Sequence, residues 1–484
     1  MARNVQVSDR PLFRVLSEEK MYELHLATLE VLEKTGVEIY HNEAVALLKE
    51  AGCFVQDPHR VRIPSHLVRQ AIDTAPERIA IRDRDGDSAM FLEGHNVYFG
   101  TGSDCPNIID LETHRRRPSG LQDVADLAKV TDAAAEIDFV MSMALAQDKP
   151  ARTADVHQFV AMANNTTKPI VFTAFSLESL RTIHEICAVI AGDEETFRRV
   201  PFVVHYSEPT SPLRHTKEAT EKLLYCAEHR IPIVYTSGIM AGSSSPSTLA
   251  GTIVQANAEG LSGLVVSQLK QPGAPFVYGA FITIMDMHSA LFSYGAPELH
   301  LMSAAMADLA HFYRLPAWSQ AGITDAKILD LQGAVESTAS CLMAALSGAN
   351  LVHDIGYLES GLTSSFESIL LCDEIVGLTR RILRGIDVTQ DSLAVDIIDR
   401  VGPGGSFLPE QHTLTHFRNQ FWFPERFDRN RFDKWNSLGG KPLFEKLNEE
   451  AKQILREHHP ERIPSDQMAE IQRIVARAEE ASTV

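Results

Sequence analysis

Eight residues of this chain have the types and positions to hold a small charged molecule: Asp104, Tyr206, Glu208, Phe281, Trp318, His353, Tyr357 and Glu359. Each falls at or just beyond the end of a short apolar run. Three are carboxylates, one is a histidine and four are aromatic. An aromatic face carries a negative quadrupole, and a wall of such faces beside a carboxylate suits a cation. It suits a quaternary ammonium above all, because that group has no hydrogen to donate. The competing reading of each ring is core packing, and of His353 a hydrogen-bonded core histidine. For Asp104, after Gly100 and Gly102, and for Glu208, before Pro209, it is a turn role.

More familiar chemistry is missing. The chain has no G-x-S-x-G nucleophile turn and no phosphate-cradling glycine loop with a lysine. No lysine lies inside an expected strand, where a Schiff base would form. His, Asp and Glu do not occur in H-x-H or H-E-x-x-H spacing, so no metal and no organic cofactor is expected on this chain. Cys105 reads as a small packing residue. Arg115-Arg116-Arg117 reads as a solvated turn.

The elements that must position these side chains follow from periodicity. Eight strands are expected: Val97–Ser103, Phe139–Ala146, Ile170–Phe175, Phe202–Tyr206, Ile233–Ser237, Phe276–Thr283, Ala317–Ala321 and Asn350–Ile355. Most are continuously apolar, as strands covered on both faces should be. Each is followed by helical periodicity, with a capping box expected at Ser119 and Gln122. Eight such units in about 280 residues match a (β/α)8 TIM barrel, whose sites lie at the C-terminal ends of its strands. An open doubly wound sheet shares the local pattern, but Gly100-Thr101-Gly102-Ser103-Asp104 is not a dinucleotide turn. The expected division is a helical lead-in over 1–95, the barrel over 96–385 and a helical appendage over 386–484. In the lead-in, Ser17 caps a helix ending near Gly36, and Ile79–Arg82 with Asp85-Gly86 forms a hairpin.

Composition narrows the partners. The 484 residues carry 45 Lys and Arg against 64 Asp and Glu, a formal charge of −19, so no nucleic acid is expected. The six cysteines lie far apart, without a C-x-x-C pair, which fits a reducing, cytoplasmic setting. No run of eighteen apolar residues exists, and Met1-Ala2-Arg3-Asn4-Val5 opens no secretion signal, so neither export nor a membrane span is expected.

Several segments together resemble the trimethylamine methyltransferase superfamily. They are Gly100-Thr101-Gly102-Ser103-Asp104-Cys105-Pro106, Glu208-Pro209-Thr210-Ser211-Pro212-Leu213, Gly348-Ala349-Asn350-Leu351, Gly356-Tyr357-Leu358-Glu359-Ser360-Gly361 and His416-Phe417-Arg418-Asn419-Gln420-Phe421-Trp422. The likeness runs from about residue 12 to about residue 460. It implies a TIM barrel that moves a methyl group from an amine to the Co(I) of a separate corrinoid (cobalamin) protein in one-carbon metabolism. Founding members carry pyrrolysine. This chain is written in standard residues, and so is similar to the branch of glycine betaine methyltransferases.

A quaternary amine leaves as a neutral tertiary amine, so its demethylation needs no general acid, only orientation and exclusion of water. The expected products are methyl-Co(III) corrinoid and, from glycine betaine, dimethylglycine. In such a pocket Asp104 is expected on the cationic side and His353 on the carboxylate, with Trp318, Tyr206 and Phe281 as walls. Other betaines, a homo-oligomeric assembly and two rival readings stay open at this point. The rivals are a zinc-dependent barrel lyase or methyltransferase using Glu208, His353 and a cysteine, and a non-catalytic betaine-binding protein.

Overall fold

The computed structural model describes residues 10–87 and 89–482. Helix Glu18–Glu30 begins as expected at Ser17, whose Oγ accepts from Lys20 N at 3.3 Å. A π-turn over Val31–Thr35 ends at Gly36, with φ of 74°. The lead-in is less helical than expected. Val37–Ile39 joins Phe54–Val55, Arg60–Arg62 and Arg214–His215 in a four-stranded sheet. These strands are two or three residues long, too short to show a period of two.

Parallel strands and helices then alternate. Ile170–Thr173, Val203–Ser207, Ile233–Tyr235 and Phe276–Val277 form one parallel ladder. Trp318–Gln320, Leu351–Ile355 and Tyr98–Thr101 form a second. Single parallel bridges lie between them: Gly100 with Phe139, Val140 with Ile170, and Tyr278 with Ala317. The expected strand Phe139–Ala146 is thus reduced to bridges, since Met143 turns left-handed at φ 56°. The expected strand Phe276–Thr283 breaks at Gly279, where a Cβ would lie 2.7 Å from the Trp318 carbonyl oxygen. Beyond it, Phe281–Asp286 pairs with Gly238–Ala241 and Leu291–Phe292 in a separate arm. Helices Leu121–Ala133, Ala154–Ala163, Leu177–Ala191, Lys217–His229, Leu249–Lys270, Pro297–Tyr313, Leu331–Ser347 and Phe366–Leu383 fill the outer layer.

Side chains on the strands divide by alternation. Phe99, Phe172, Val203, Ile233, Phe276 and Val352 join the cluster under the helices. Tyr98, Val171, Val204, Tyr206, Val234, Val277, Trp318 and Leu351 form a second, inner cluster. A hairpin, Ile79–Arg82 with Ala89–Leu92, completes it with Ile79, Ile81, Met90 and Leu92. The hairpin sits where the strands begin: Arg82 N donates to Pro201 O, and Arg84 N to Thr167 O. Ile81 and Leu92 are fully buried there.

Two local expectations are corrected. Ser119 does not cap a helix; its hydroxyl is shared between the carbonyls of Cys105 and Leu145, at 2.8 and 2.9 Å. Asp123 caps instead, accepting from Gly120 N at 2.9 Å. Arg115–Arg117 is not a free turn, because Arg116–Pro118 is a strand on Asn107–Ile109. Arg117 there pairs with Asp110 and Asp123, at 3.0 and 2.7 Å.

Helix Leu443–Glu457 packs back on this body through Asn448, which donates to Leu111 O and to Glu367 at 2.9 and 2.8 Å. Four short helices between Gln390 and Ser437 bury no residue fully. Among the described residues no helix is long and apolar enough to cross a membrane.

Candidate functional site at the strand ends

The inner cluster ends in rings. Trp318 lies 4.1 Å from His353, and Tyr206 lies 5.3 Å from Trp318 and 5.8 Å from His353, between ring centroids. Phe281 reaches over from its arm to within 6.0 Å of His353, and packs on Phe292 and Tyr294 at 5.3 and 5.0 Å. Tyr294 in turn stacks on Tyr357 at 6.3 Å.

Glycines make the room. At Gly100 a Cβ would stand 2.2 Å from the Phe139 ring, and at Gly102 one would stand 2.2 Å from the Tyr357 ring. The loop from Gly100 to Asp104 is therefore glycine-rich so that neighbouring rings can lie against backbone. Tyr357 bonds both the backbone N–H and the carbonyl of Ser103, which fixes its ring there.

A bulge brings in a further acid. Val352 pairs with Phe99 but Ile355 pairs with Thr101, so His353 and Asp354 together oppose one residue. Strict alternation would send these two side chains to opposite faces; the extra residue, with Asp354 at φ 79°, re-aims one of them. Asp354 Oδ1 comes to 2.8 Å from His353 Nδ1, outside hydrogen-bonding geometry. Burial pushes up the phenol pKa values of Tyr206, Tyr294 and Tyr357, and the nearby charge of Asp354 adds to each. A non-glycine residue at such a φ costs energy, and strain of this kind clusters at functional sites.

Three carboxylates result. Asp104 is held by Ser142 Oγ, Gln158 Nε2 and Thr173 Oγ1, at 2.8, 2.9 and 2.8 Å. Burial raises its pKa, and these three bonds oppose the rise. Burial also raises Glu208, against the Tyr206 hydroxyl that donates to it and against His353. Burial raises Asp354 against His353. Glu208 nevertheless keeps accessible atoms, as does Gly238, whose Cβ would lie 3.6 Å from it.

The polar atoms around the rings are unspent. Trp318 Nε1, His353 Nε2, Gln320 Oε1, Ser237 Oγ and both Asp354 oxygens are buried without a hydrogen-bond partner. An orphaned buried polar group costs roughly 1–3 kcal/mol, so a cluster of them marks a place where something else binds.

Of the eight residues singled out from sequence, the structure brings Tyr206, Glu208, Phe281, Trp318, His353 and Tyr357 together. Asp104 lies behind Tyr357, close enough for its charge to act on that phenol. Glu359 goes elsewhere: left-handed Glu359 and Ser360 turn the chain outward, where Arg116 and Thr363 hold the carboxylate at 2.8 and 2.6 Å. Sequence reasoning missed Phe292 and Tyr294, although the pattern Phe292-Ser293-Tyr294 after Phe281 was a usable signal. It also missed the donors around Asp104, which come from three separate elements. Among the described residues, the groups with ligand atoms spaced for a metal lie outside this site and include neither Glu208 nor His353.

Comparison with known proteins shows the family of the chain. The sequence profile of the family described as Trimethylamine methyltransferase (MTTB) matches residues 2–483. Trimethylamine methyltransferase MttB of Desulfitobacterium hafniense is 36% identical over 465 residues, covering 96% of this chain and 94% of that protein. A glycine betaine methyltransferase of Desulfitobacterium hafniense is 30% identical over 471 residues, covering 96% and 97%. In fold, the chain is similar to the crystal structure of the Methanosarcina barkeri monomethylamine methyltransferase MtmB. The TM-score is 0.52 at 13% identity, over 93% of this chain and 89% of that one.

Proposed function

The chain belongs to the trimethylamine methyltransferase family, and from that premise we propose that it demethylates a quaternary amine, glycine betaine before others, passing the methyl group to the Co(I) of a partner corrinoid protein. We further propose that the two ladders and the bridges between them make one closed (β/α)8 barrel in a cytoplasmic enzyme over 96–385. Ile386, Leu408 and Phe432, exposed at 79%, 85% and 72%, support a homo-oligomer joined through the segment beyond it.

One observation carries the substrate. The buried donors left unpaired, Trp318 Nε1 and the His353 ring, stand beside aromatic faces and carboxylates. A methylammonium ion offers no acceptor to a buried donor. A betaine has a carboxylate a few ångströms from its cation, and so uses both kinds of partner. In this reading Tyr206, Trp318, Phe281 and Tyr294 face the N-methyl groups, while Glu208, Asp354 and Asp104 set a negative potential around them. His353 and Trp318 hold the carboxylate, which aims one N-methyl away from the inner cluster toward the open strand ends. The acceptor, a co-substrate carried by another protein, supplies the nucleophile. The residues of this chain orient the carbon and exclude water. No group needs to donate a proton, because the leaving amine is neutral.

The test offers methylamines and betaines to the protein together with its reduced corrinoid partner, following loss of Co(I) absorbance. Loss with glycine betaine is expected. Loss with trimethylamine alone would overturn the substrate, and binding of betaine with no spectral change would overturn the activity.

A further inference from the structure

We propose that His184, Glu194 and His229 form a second site, for a divalent transition metal of the Zn2+ type, in the outer helical layer. The three come from helix Leu177–Ala191, the short helix Glu194–Arg199 and the last turn of Lys217–His229. One ligand atom from each lies within 4.8 Å of the others. Two imidazoles and a carboxylate are a donor set that suits zinc, with further positions left for water.

His184 Nε2 is the observation that points to a ligand. It is buried, has no hydrogen-bond partner, and lies 3.0 Å from Glu194 Oε2 without the geometry of a bond. Its other nitrogen is 2.9 Å from the Tyr225 hydroxyl. A donor bond from Nδ1 to that oxygen leaves the Nε2 lone pair directed at the cluster, which is how an outer partner prepares a metal-binding histidine. His229 packs on Tyr225 at 4.2 Å and lies 5.1 Å from His184, between ring centroids.

The rival reading is an ion pair between His184 and Glu194, which requires a charged imidazole. The geometry does not support that pair: Nε2 and Oε2 are 3.0 Å apart but not aligned as a hydrogen bond, and Nε2 stays without a partner. The site lies next to the segment entering Val203–Ser207, at the end of the strands opposite the rings. A metal there ties three elements together and takes no part in methyl transfer.

A second group, Asp391, His412 and His416, also has metal spacing. It sits on the surface with its rings already engaged, His412 Nε2 at 3.3 Å from Asp391 O and His416 Nε2 at 3.2 Å from Asp391 Oδ2. It serves as the comparator. The full chain, stripped with a chelator and desalted, is titrated calorimetrically with ZnCl2 and melted with and without it. The parent is expected to bind one equivalent and to melt higher with zinc. Glu194→Gln and His229→Asn should each weaken binding by at least the roughly 10–100-fold that loss of even an outer-shell partner costs, and should lose the shift in melting. A variant carrying both His412→Asn and His416→Asn should behave as the parent. The proposal is overturned if the parent takes up no zinc, if Glu194→Gln and His229→Asn bind as tightly as the parent, or if binding is lost only in the comparator.

Discussion

The two ends of the central strands are made of opposite materials. Where the strands begin, the hairpin inserts Ile79, Ile81, Met90 and Leu92 among Val171, Val204 and Val234, and the contact is dry and apolar. Where they end, Asp104, Met143 and Asp354 are left-handed, and donors and acceptors stand buried without partners. One end gains free energy from burial and the other spends it on unpaired polarity, so stability and ligand capture are separable along one set of strands.

The largest effect is expected at the dry end. Ile81→Ala should cost about 2–5 kcal/mol of stability by chemical denaturation, while the folded fraction binds glycine betaine as the parent does. A parallel loss of affinity would show the two ends to be coupled. At the polar end the pattern should invert. His353→Ala should lose about 1.5–3 kcal/mol of betaine binding, roughly ten- to a hundredfold, with melting close to that of the parent, whereas Asp104→Ala should lose binding and also melt lower, because it orphans Ser142, Gln158 and Thr173. Calorimetric titration and thermal melts decide it; unchanged binding in both variants would make both residues structural.

Gly102→Ala, at the polar end, should move stability and binding together. Its Cβ has to displace the Tyr357 ring, so about 1–3 kcal/mol of stability and the affinity for betaine should fall together. In a background that already carries Tyr357→Ala, Gly102→Ala should cost little further stability; a full further loss would mean that the collision lies elsewhere.

The smallest effect is one of pH. Asp104, Glu208 and Asp354 all have carboxyls raised by burial. Each therefore contributes stability below the ordinary carboxylate range, and that contribution is lost as pH rises through its raised value. A bound ammonium favours the ionised forms, so betaine binding should release protons across the same window and tighten with pH. Titrations in buffers of different ionisation heat measure this, and proton uptake would contradict the cationic reading.

Much of the framework was legible because continuously apolar runs mark strands covered on both faces. Ile170–Thr173 and Leu351–Ile355 fall inside runs expected from sequence, and Ser17 and Gly36 bound their segment as expected. His353 was readable as a residue at a strand end. The placement of Asp354 was not, because a bulge is a property of two paired strands and leaves no mark on either one alone. Glu359 was misplaced for a related reason. The rule that favours strand ends follows the chain past Tyr357, but two successive left-handed residues carry it outward to Arg116. Phe292 and Tyr294 enter the site only because Gly279 ends one strand and frees Phe281–Asp286 to start an arm.

The hairpin also has a consequence in time. Residues 79–92 precede every strand of the two ladders, so a growing chain makes this insert before anything exists to surround it. A lone two-stranded hairpin is marginal in water. Its last neighbours come late, since Trp318 and Leu351 of the same cluster lie far down the chain. Through most of translation Ile79, Ile81, Met90 and Leu92 therefore stay uncovered, and these four side chains are where an unfinished chain is most open to self-association and to capture by a chaperone.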